Sequence, residues 1–326
     1  MGRRSRPAAA ALFCTLLLAG TLQGCRRTPE ALPSPPRVVR FTTGPLGGGF
    51  YPMGRSIAQA YARSLASVTV QTYVSAGAVA NVESIQRGET DLAFTFADVA
   101  YVASLGELDG RTGAFDRLRG IAVLQLTPLH FVARAGSGIR KVADLRNRRV
   151  SIGAPGTGTS LIAKLLLEAY GVPLSSVHVE PLTFSEAARQ LVAGDLDAMF
   201  DDAIYPADSV GMALRAGARL LPITGQSVER LHREYPFFQA AVIPPNSYPG
   251  VTEAIHTIGV DSLLVCRRDL DEALVYELTK RFFEALPELS ASIEALRLMD
   301  LHQSPATPIP LHAGAARYYR ERELER

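Results

Sequence analysis

Two glycine-rich loops are the parts of this sequence best suited to chemistry. The first, GPLGGGFYPMG at residues 44–54, follows the apolar run RVVRFTT, and the second, GAPGTGTS at residues 153–160, follows RRVSI. A glycine loop that leads into a helix presents unpaired backbone N–H groups and the positive end of the helix dipole. Such a loop binds anionic groups without a charged side chain. Either loop alone is compatible with a plain tight turn, but the two together predict a site with backbone donors on both sides.

The motifs of common enzyme classes are missing from the sequence. The second loop fits G-x-x-x-x-G, but Thr159 stands where a nucleotide-binding P-loop needs lysine, and the first loop does not fit the dinucleotide fingerprint. There is no G-x-S-x-G elbow, and the six histidines lack metal-ligand spacing. His130 and His312 are therefore predicted to be structural. We predict a protein that is not an enzyme and that uses neither a cofactor nor a metal.

Three aspartates form a second set of candidates. Asp98 precedes the helical stretch VAYVASL, and Asp201 and Asp202 end the strand-like run DAMFDD. Successive side chains of a strand point to opposite faces, so at most one of the last two points toward a cleft. Each aspartate has a structural alternative. Asp98 is either a helix N-cap or a ligand contact, and the pair is either a solvated strand end, a helix cap or a partner for a ligand's ammonium group.

The elements that carry these residues alternate along the chain. Short apolar runs are interleaved with helical stretches from residue 37, and the alternation restarts near residue 149. This order predicts an α/β fold of two parallel-rich sheets with helices on both faces. Two longer apolar runs, 120–134 and 256–267, are long enough to cross from one body to another as hinge strands. We therefore expect a bilobal protein that closes around a ligand.

Helix punctuation in the second body supports the same interpretation. Apolar residues from Leu161 to Ala169 follow helical spacing, and Gly171 is expected to end that helix. Ser185 precedes an alanine-rich run and is expected to be the N-cap of the next helix.

The N-terminus has the pattern of an export signal. MGRRSRP is basic and is followed by a short apolar run, so residues 1–24 are predicted to be a signal peptide. Leu22–Cys25 resembles a bacterial lipobox, which predicts lipidation of Cys25, and the proline-rich residues 25–36 are typical of an extended tether. The alternative is a soluble export signal cut nearby. We expect an exported, lipid-anchored protein that faces the periplasm or the extracellular side.

The amino-acid composition excludes further classes of protein. The formal net charge of +2 comes from the arginines of the leader, so no concentrated basic footprint points to nucleic acid. Hydrophobic residues make up 47% of the chain, enough for sizeable cores, yet no run after the leader approaches the ~20 apolar residues of a membrane helix. Past Cys25 only Cys266 remains, which excludes an internal disulfide and predicts a core strand residue.

Several motifs, in order, resemble the TAXI family of solute receptors for tripartite ATP-independent periplasmic (TRAP) transporters. The resemblance covers roughly residues 37–322. It is carried by GPLGGGFYPMG, NVESIQRGETDLAF with DVAY, VADLRNRRVSIGAPGTGTS, EAARQLVAGDLDAMF, YPFFQAAVIPPNSYPG and PLHAGAARYY. Each motif alone is weak, whereas their order and spacing together are specific.

The resemblance implies a type II periplasmic-binding-protein fold and the capture of a small organic solute for a TRAP membrane permease. The expected lobes are 37–128 plus 262–326 for lobe 1 and 129–261 for lobe 2. The ligand class it implies is a carboxylate or an amino-acid-like solute. The alternative function is a stand-alone binding lipoprotein that presents its ligand to a sensor or another membrane partner.

Departures from the family pattern bear on the ligand. Phe50 replaces a common tyrosine, Ala76-Gly77-Ala78 stands for Gly-Gly-Ser, and Phe96-Ala97 stands for Gln-Ser, whereas Asp201 and Asp202 replace apolar residues. These changes favour a zwitterion or a less polar carboxylate, held by the two loops with Asp201 or Asp202 facing an ammonium group. The candidate ligand-binding residues are Gly47, Gly48, Gly49, Phe50, Tyr51, Gly77, Asp98, Gly156, Thr157, Gly158, Thr159, Asp201, Asp202 and Tyr205.

Overall fold

The computed structural model describes residues 37–46, 48–108 and 113–324. The predicted signal peptide (1–24), the tether (25–36) and the lipidation site Cys25 lie outside the described residues, as does Gly47 of the first loop. Within the described ranges, no helix combines the length and the apolar character needed to cross a membrane.

Strands and helices alternate through most of the chain. The strands are β1 (Arg37–Thr42), β2 (Val68–Tyr73), β3 (Leu92–Phe96), β4 (Leu118–Ala133), β5 (Arg149–Ser151), β6 (His178–Glu180), β7 (Ala198–Asp202), β8 (Arg219–Leu221), β9 (Phe238–Ile243) and β10 (Ile255–Arg267). The helices are α1 (Phe50–Ser64), α2 (Ala78–Arg87), α3 (Ala97–Leu105), α4 (Gly158–Ala169), α5 (Phe184–Ala193), α6 (Asp208–Arg215), α7 (Gln226–Glu234), α8 (Glu272–Ser292), α9 (Glu294–Arg297) and α10 (Ala313–Leu324).

The strands form one mixed sheet of ten with two parallel groups. The order is β2-β1-β3-β10-β4-β7-β5-β6, with β9 beside β10 and β8 beside β4. Strands β1, β2 and β3 are parallel, as are β5, β6 and β7. We call the part built on the first group the first lobe and the part built on the second group the second lobe. The α/β bilobal fold predicted from the alternating sequence is confirmed, with the two sheets continuous through β4.

Two long strands belong to both lobes. Strand β4 pairs with β10 over its first two thirds and with β7 from Leu129 to Ala133, antiparallel in each case. Strand β10 pairs with β9 from Ile255 to Val260 and with β3 from Ser262 to Cys266. These are the two predicted crossings. They are continuous through both lobes, so a relative movement of the lobes must bend or twist them. The lobe boundaries given above stay a prediction.

The first lobe buries an aromatic core between its sheet and helices α1, α8 and α10. Phe41, Tyr61, Phe94 and Phe282 are each fully buried there. Cys266 lies on β10 in the same core and is a buried free thiol, so its predicted place in a core strand is confirmed.

In the second lobe, the helix boundaries predicted from the sequence agree with the structure at α4 but not at α5. Helix α4 ends at Ala169, and Gly171 follows with the left-handed φ of 67°. The expectation for Ser185 is wrong, because α5 already begins at Phe184, two residues earlier than a Ser185 cap requires. Thr183 is the N-cap, and its hydroxyl accepts the N–H of Glu186 at 3.3 Å. The helix therefore follows the usual capping arrangement two residues upstream of the serine.

A close approach of α1 to the sheet sets the position of the first glycine loop. Gly54 lies on the buried face of α1, where a Cβ would overlap the methyl group of Thr43 and come within 3.1 Å of the ring of Phe94. We expect Gly54→Ala to lower the free energy of unfolding, because overpacking costs ~1–3 kcal/mol and the gain in helix propensity is at most about 1 kcal/mol.

Urea unfolding of Gly54→Ala and of Gln59→Ala measures this. Gln59 is exposed on the same helix, so its substitution should change stability by less than about 0.5 kcal/mol. A Gly54→Ala variant as stable as the parent would show that α1 does not touch the sheet this closely.

Candidate functional site

The two glycine loops lie on different lobes and touch each other. The N–H of Val79, at the start of α2, donates to the carbonyl oxygen of Gly156 at 3.1 Å. Gly77 has a φ of 134°, and a Cβ there would lie 3.2 Å from the same carbonyl oxygen. Gly156 itself has a φ of 83°. Both positions favour glycine for conformation, and Gly77 also for space, so the contact between the lobes is made by backbone.

The first loop leads directly into α1. The N–H of Gly48 donates to the carbonyl oxygen of Pro45 at 3.0 Å, and Gly49 is the N-cap of the helix. Tyr51 is partly exposed in the first turn, with the guanidinium of Arg55 5.9 Å from its ring centre. The loop therefore lies beyond the carboxyl end of β1, which ends at Thr42.

Aromatic rings line the first lobe beside this loop. Phe50 stacks on Phe94 with ring centres 4.9 Å apart and lies 5.0 Å from the ring of Phe96. Phe96 in turn meets the second lobe, because a Cβ on Gly158 would come within 2.8 Å of its ring. Two of the replacements noted in the sequence, Phe50 and Phe96, thus form one aromatic surface with Phe94 at the junction of the lobes.

Four helices start at this junction without a side-chain cap. Their N-cap residues make no side-chain hydrogen bond to the first turn, in contrast to α5 and α8, which Thr183 and Asp271 cap. The four N-caps are Gly49 of α1, Gly77 of α2, Phe96 of α3 and Thr157 of α4. The hydroxyl of Thr157 donates instead to the carbonyl oxygen of Ala154 at 2.7 Å. Backbone N–H groups with positive dipole ends are therefore concentrated here.

Asp98 is not a helix cap. The N-cap of α3 is Phe96, which places Asp98 in the first turn of the helix. Its side chain is fully buried, and neither carboxylate oxygen has a hydrogen-bond partner. Burial raises the pKa of Asp98 to about 7. The alternative in which Asp98 caps the helix is therefore wrong. The nearby backbone N–H groups of Val99 and Asp98 favour the ionised form, but neither carboxylate oxygen accepts a hydrogen bond of normal geometry.

Asp201 and Asp202 point to opposite faces of β7, as strand alternation requires. Asp202 accepts the hydroxyl of Thr159 in α4 and lies beside Gly158, whereas Asp201 accepts the hydroxyl of Ser209 in α6 at 2.5 Å. Both are buried, so neither is a solvated strand end.

Burial also controls the ionisation of this pair. It raises the pKa of Asp201 to about 7 and that of Asp202 well above the usual range, where repulsion from Asp201 and Asp98 adds to the effect. Asp202, not Asp201, is the carboxyl group that the structure turns toward the second loop and the first lobe.

Two buried polar residues of β4 extend the site and were missed in the sequence. Gln125 is 2% exposed and Thr127 is 3% exposed, and neither amide atom of Gln125 nor the hydroxyl of Thr127 has a hydrogen-bond partner. Both share a strand face with Leu129, which pairs directly with Asp202. The sequence pattern could have identified them, because they are polar residues at alternate positions of the otherwise apolar run 120–134.

Tyr205, like Asp201, is a candidate that is not brought into this group. It lies in the turn after β7, joined by a cis peptide to Pro206, and packs against the hydrophobic cluster of α5 and α6. Its neighbour Ile204 packs instead against the core of the first lobe.

The two histidines make the structural contacts expected of them. The Nδ1–H of His130 donates to the carbonyl oxygen of Asp201 at 3.2 Å, and its Nε2 accepts the hydroxyl of Tyr248 at 2.8 Å. Burial lowers the pKa of His130 to about 4, so the ring is neutral at pH 7. His312 accepts the N–H of Gly314 at 3.1 Å, at the start of α10. Each imidazole ring therefore holds neighbouring backbone groups in place.

The arrangement is suited to binding a small molecule. The described residues contain no group of three or more His, Cys, Asp or Glu side chains that could hold a metal ion. The junction instead offers backbone N–H groups from both loops, an aromatic surface and carboxyl groups of α3 and β7. Such a set can hold a small molecule with an acidic group, an apolar body and a hydrogen-bonding or cationic group.

Comparison with known proteins places the fold. The sequence model of the NMT1-like family matches residues 41–322. MatC from Rhodopseudomonas palustris, with bound malate, superposes with a TM-score of 0.58 at 16% identity, over 90% of this chain and 98% of that one. The periplasmic binding protein BugD gives 0.55 at 16% identity, over 89% and 95%.

The alkanesulfonate-binding protein SsuA from Xanthomonas axonopodis pv. citri, bound to MOPS, gives a TM-score of 0.50 at 15% identity, over 88% of this chain and 84% of that one. At these identities the likeness concerns the fold alone. The chain has the two-lobe fold of periplasmic solute-binding proteins.

The buried carboxyl group of Asp98 gives a pH-dependent prediction. Its pKa is about 7 in the folded chain and about 3.9 when unfolded. The folded protein therefore keeps a proton that the unfolded chain releases between pH 4 and pH 7, and its stability falls as the pH rises through that window. Asp98→Asn removes this cost, which amounts to as much as ~4 kcal/mol at pH 8.

We expect Asp98→Asn to raise the melting temperature by several degrees at pH 8 and to change it little at pH 4, as measured by calorimetry. Asp195→Asn, an exposed aspartate of the second lobe, is the matched control and should shift neither value appreciably. Destabilisation of Asp98→Asn at pH 8 would mean that the ionised carboxylate has a stabilising partner.

Proposed function

Because the chain belongs to the NMT1-like family and has the fold of periplasmic solute-binding proteins, we propose that it is an extracytoplasmic solute receptor. It captures a small carboxylate or amino-acid-like solute between its two lobes. It then delivers the solute to a TRAP-type membrane permease. The protein carries out no covalent chemistry in this function.

The observation that carries the proposal is the meeting of two glycine loops from different lobes. The contact between Val79 and Gly156 joins the start of α2 to the second loop, and Phe96 meets Gly158 beside it. Four uncapped helix N-termini and several buried polar groups without partners lie at this junction. In folded proteins more than ~90% of buried polar groups are paired. A solute that enters between the lobes supplies the missing partners.

The delivery step is supported by the sequence. The motifs that resemble the TAXI receptors occur in order over roughly 37–322, almost the range matched by the family model. A ligand that favours the closed arrangement of the lobes shifts the population toward it, and a permease can recognise that shape. MatC, which shares the fold, holds malate, a small carboxylate.

Export and membrane attachment belong to the same proposal. The basic and apolar segments of residues 1–24 support export, and Leu22–Cys25 supports a lipid anchor on Cys25. The anchor and the tether of residues 25–36 would keep the receptor close to its permease.

A thermal-shift screen of the exported chain tests solute capture. The panel contains amino acids, mono- and dicarboxylates, keto acids, betaines and polyamines. A solute at a hundred times its dissociation constant stabilises the folded state by about 2.7 kcal/mol. For lobes of this size that energy corresponds to a rise of roughly 5–10 °C in melting temperature. We expect at least one small organic solute to produce it.

A pair of glycine variants shows where such a solute binds. Gly158→Ala places a methyl group within 2.8 Å of the Phe96 ring and should weaken binding at least tenfold by holding the lobes apart. Gly211→Ala, on α6, comes close only to the flexible end of Arg215, at 3.2 Å, and makes an ordinary 3.9 Å contact with the ring of Tyr248, so this variant should bind normally. Equal binding by both variants, or no shift from any solute, would contradict capture between the lobes.

Delivery needs a separate assay. Cells that express the receptor together with TRAP permease subunits of the same genome should accumulate the labelled solute, and cells with the permease alone should not. Binding without any effect on uptake would favour the alternative receptor that presents its solute to a sensor.

A further inference from the structure

We propose that the solute carries an ammonium group and that Asp98 of the first lobe and Asp202 of the second receive it. The inference rests on the proposed function, the capture of a solute between the lobes, and adds the charge of the group that is bound.

The two carboxyl groups reach the junction from opposite lobes. Asp98 lies in the first turn of α3, two residues after Phe96, whose ring meets Gly158. Asp202 ends β7 and lies beside the same Gly158, with Thr159 bonded to one of its oxygens. Helix α3, which carries Asp98, packs against α4, whose Thr159 is bonded to Asp202, so the packing of the two helices brings these carboxyl groups to the same place. The charge of Asp98 accordingly adds to the raised pKa of Asp202. One cation between them would satisfy both.

Three of the four carboxylate oxygens are available for such a cation. Both oxygens of Asp98 and the Oδ2 of Asp202 are buried and have no hydrogen-bond partner in the protein. An ammonium group has three N–H donors and no acceptor, which matches three unpaired oxygens. Burial disfavours the ionised form of both carboxyl groups, and an ammonium group that enters here stabilises that form by supplying the missing opposite charge and N–H donors.

Gln125 provides an independent indication that a ligand belongs here. Its amide is almost fully buried, and neither its oxygen nor its nitrogen has a partner. Gln125 pairs with Ser262, and Ser262 pairs with Phe96 on the other side, so the three side chains share one face of the sheet. That face is the one on which Phe96 meets the second loop. The unpaired amide is therefore directed toward the same junction as the two carboxyl groups.

The same features disfavour a metal ion and a plain dicarboxylate. The described residues hold no cluster of three or more metal-ligating side chains. If one carboxylate of a dicarboxylate binds at the helix N-termini, its other carboxylate would lie beside Asp98 and Asp202, which already repel each other. A zwitterion fits both parts of the site, because its carboxylate can bind at the uncapped helix N-termini while its ammonium group lies between the aspartates.

Calorimetric titration of the full chain with matched pairs of probes tests the inference. The pairs are glutamate with glutarate, 4-aminobutyrate with butyrate, and lysine with norleucine, whose members differ by one ammonium group. We expect an amine-bearing member to bind at least tenfold more tightly than its partner. Tight binding of glutarate or butyrate that the added amine does not improve would overturn the inference and leave solute capture intact. No binding by any probe would count against both.

Three isosteric variants locate the ammonium group. Asp98→Asn and Asp202→Asn should each weaken binding of the amine-bearing probe at least tenfold, and the asparagine at 202 can still accept the Thr159 hydroxyl. Asp261→Asn is the control, because Asp261 lies on β10 next to Ser262 and so on the opposite face, where it accepts from Gln239 at 2.5 Å. Circular dichroism verifies folding of each variant. Unchanged affinity in Asp98→Asn and Asp202→Asn would overturn the assignment.

Discussion

The contact between two stretches of glycine-rich backbone determines how the rest of the site is assembled. The N–H of Val79 reaches the carbonyl oxygen of Gly156 only because Gly77 carries no side chain and because both glycines adopt conformations that other residues avoid. A Cβ at Gly77 would lie 3.2 Å from that carbonyl oxygen, so a side chain here would require the two backbones to move apart by a few tenths of an ångström. With the backbones in contact, Phe96 reaches Gly158, and the carboxyl groups of the two lobes are brought into one buried region.

The electrostatics of that region work against the stability of the isolated protein. Asp98, Asp201 and Asp202 are all buried, and burial shifts their pKa values upward. A sequence selected for stability alone would replace such groups by apolar residues of similar size. One oxygen of Asp201 accepts the hydroxyl of Ser209, and His130 joins the carbonyl oxygen of Asp201 to the hydroxyl of Tyr248, so most polar groups on this face of β7 are paired within the protein. The side chains of Asp98 and Gln125 are buried and have no hydrogen-bond partner within the protein. Buried polar groups of this kind are typical of binding sites.

Much of the architecture could be predicted from the sequence because it follows from local patterns. Alternating apolar runs predicted the α/β fold, and the length of two runs predicted the hinge strands β4 and β10. Alternation along β7 also predicted that only one of Asp201 and Asp202 points inward. The errors occurred where the answer depends on a boundary of one or two residues. Helix α5 starts at Phe184, so Thr183 and not Ser185 is the cap, and α3 starts at Ala97, so Asp98 cannot be one.

The site itself could be predicted only in part, since its residues meet through tertiary contacts. The glycine loops were recognisable from composition, whereas the convergence of Asp98 with Asp202 joins segments more than a hundred positions apart and has no local signature. Gln125 and Thr127 interrupt an apolar strand with polar side chains, a pattern that indicates function only when the absence of hydrogen-bond partners is known.

The most direct measurement is amide hydrogen exchange at Val79 in the presence and absence of a bound solute, read by NMR or by mass spectrometry of peptides that span residues 76–82. The hydrogen bond to Gly156 joins the lobes, so its protection reports closure at that contact. If the lobes close on a solute, exchange at Val79 should slow at least tenfold when the solute is added, while amides in the core of β3 stay unchanged. Identical exchange at Val79 with and without a saturating solute would contradict closure between the two loops.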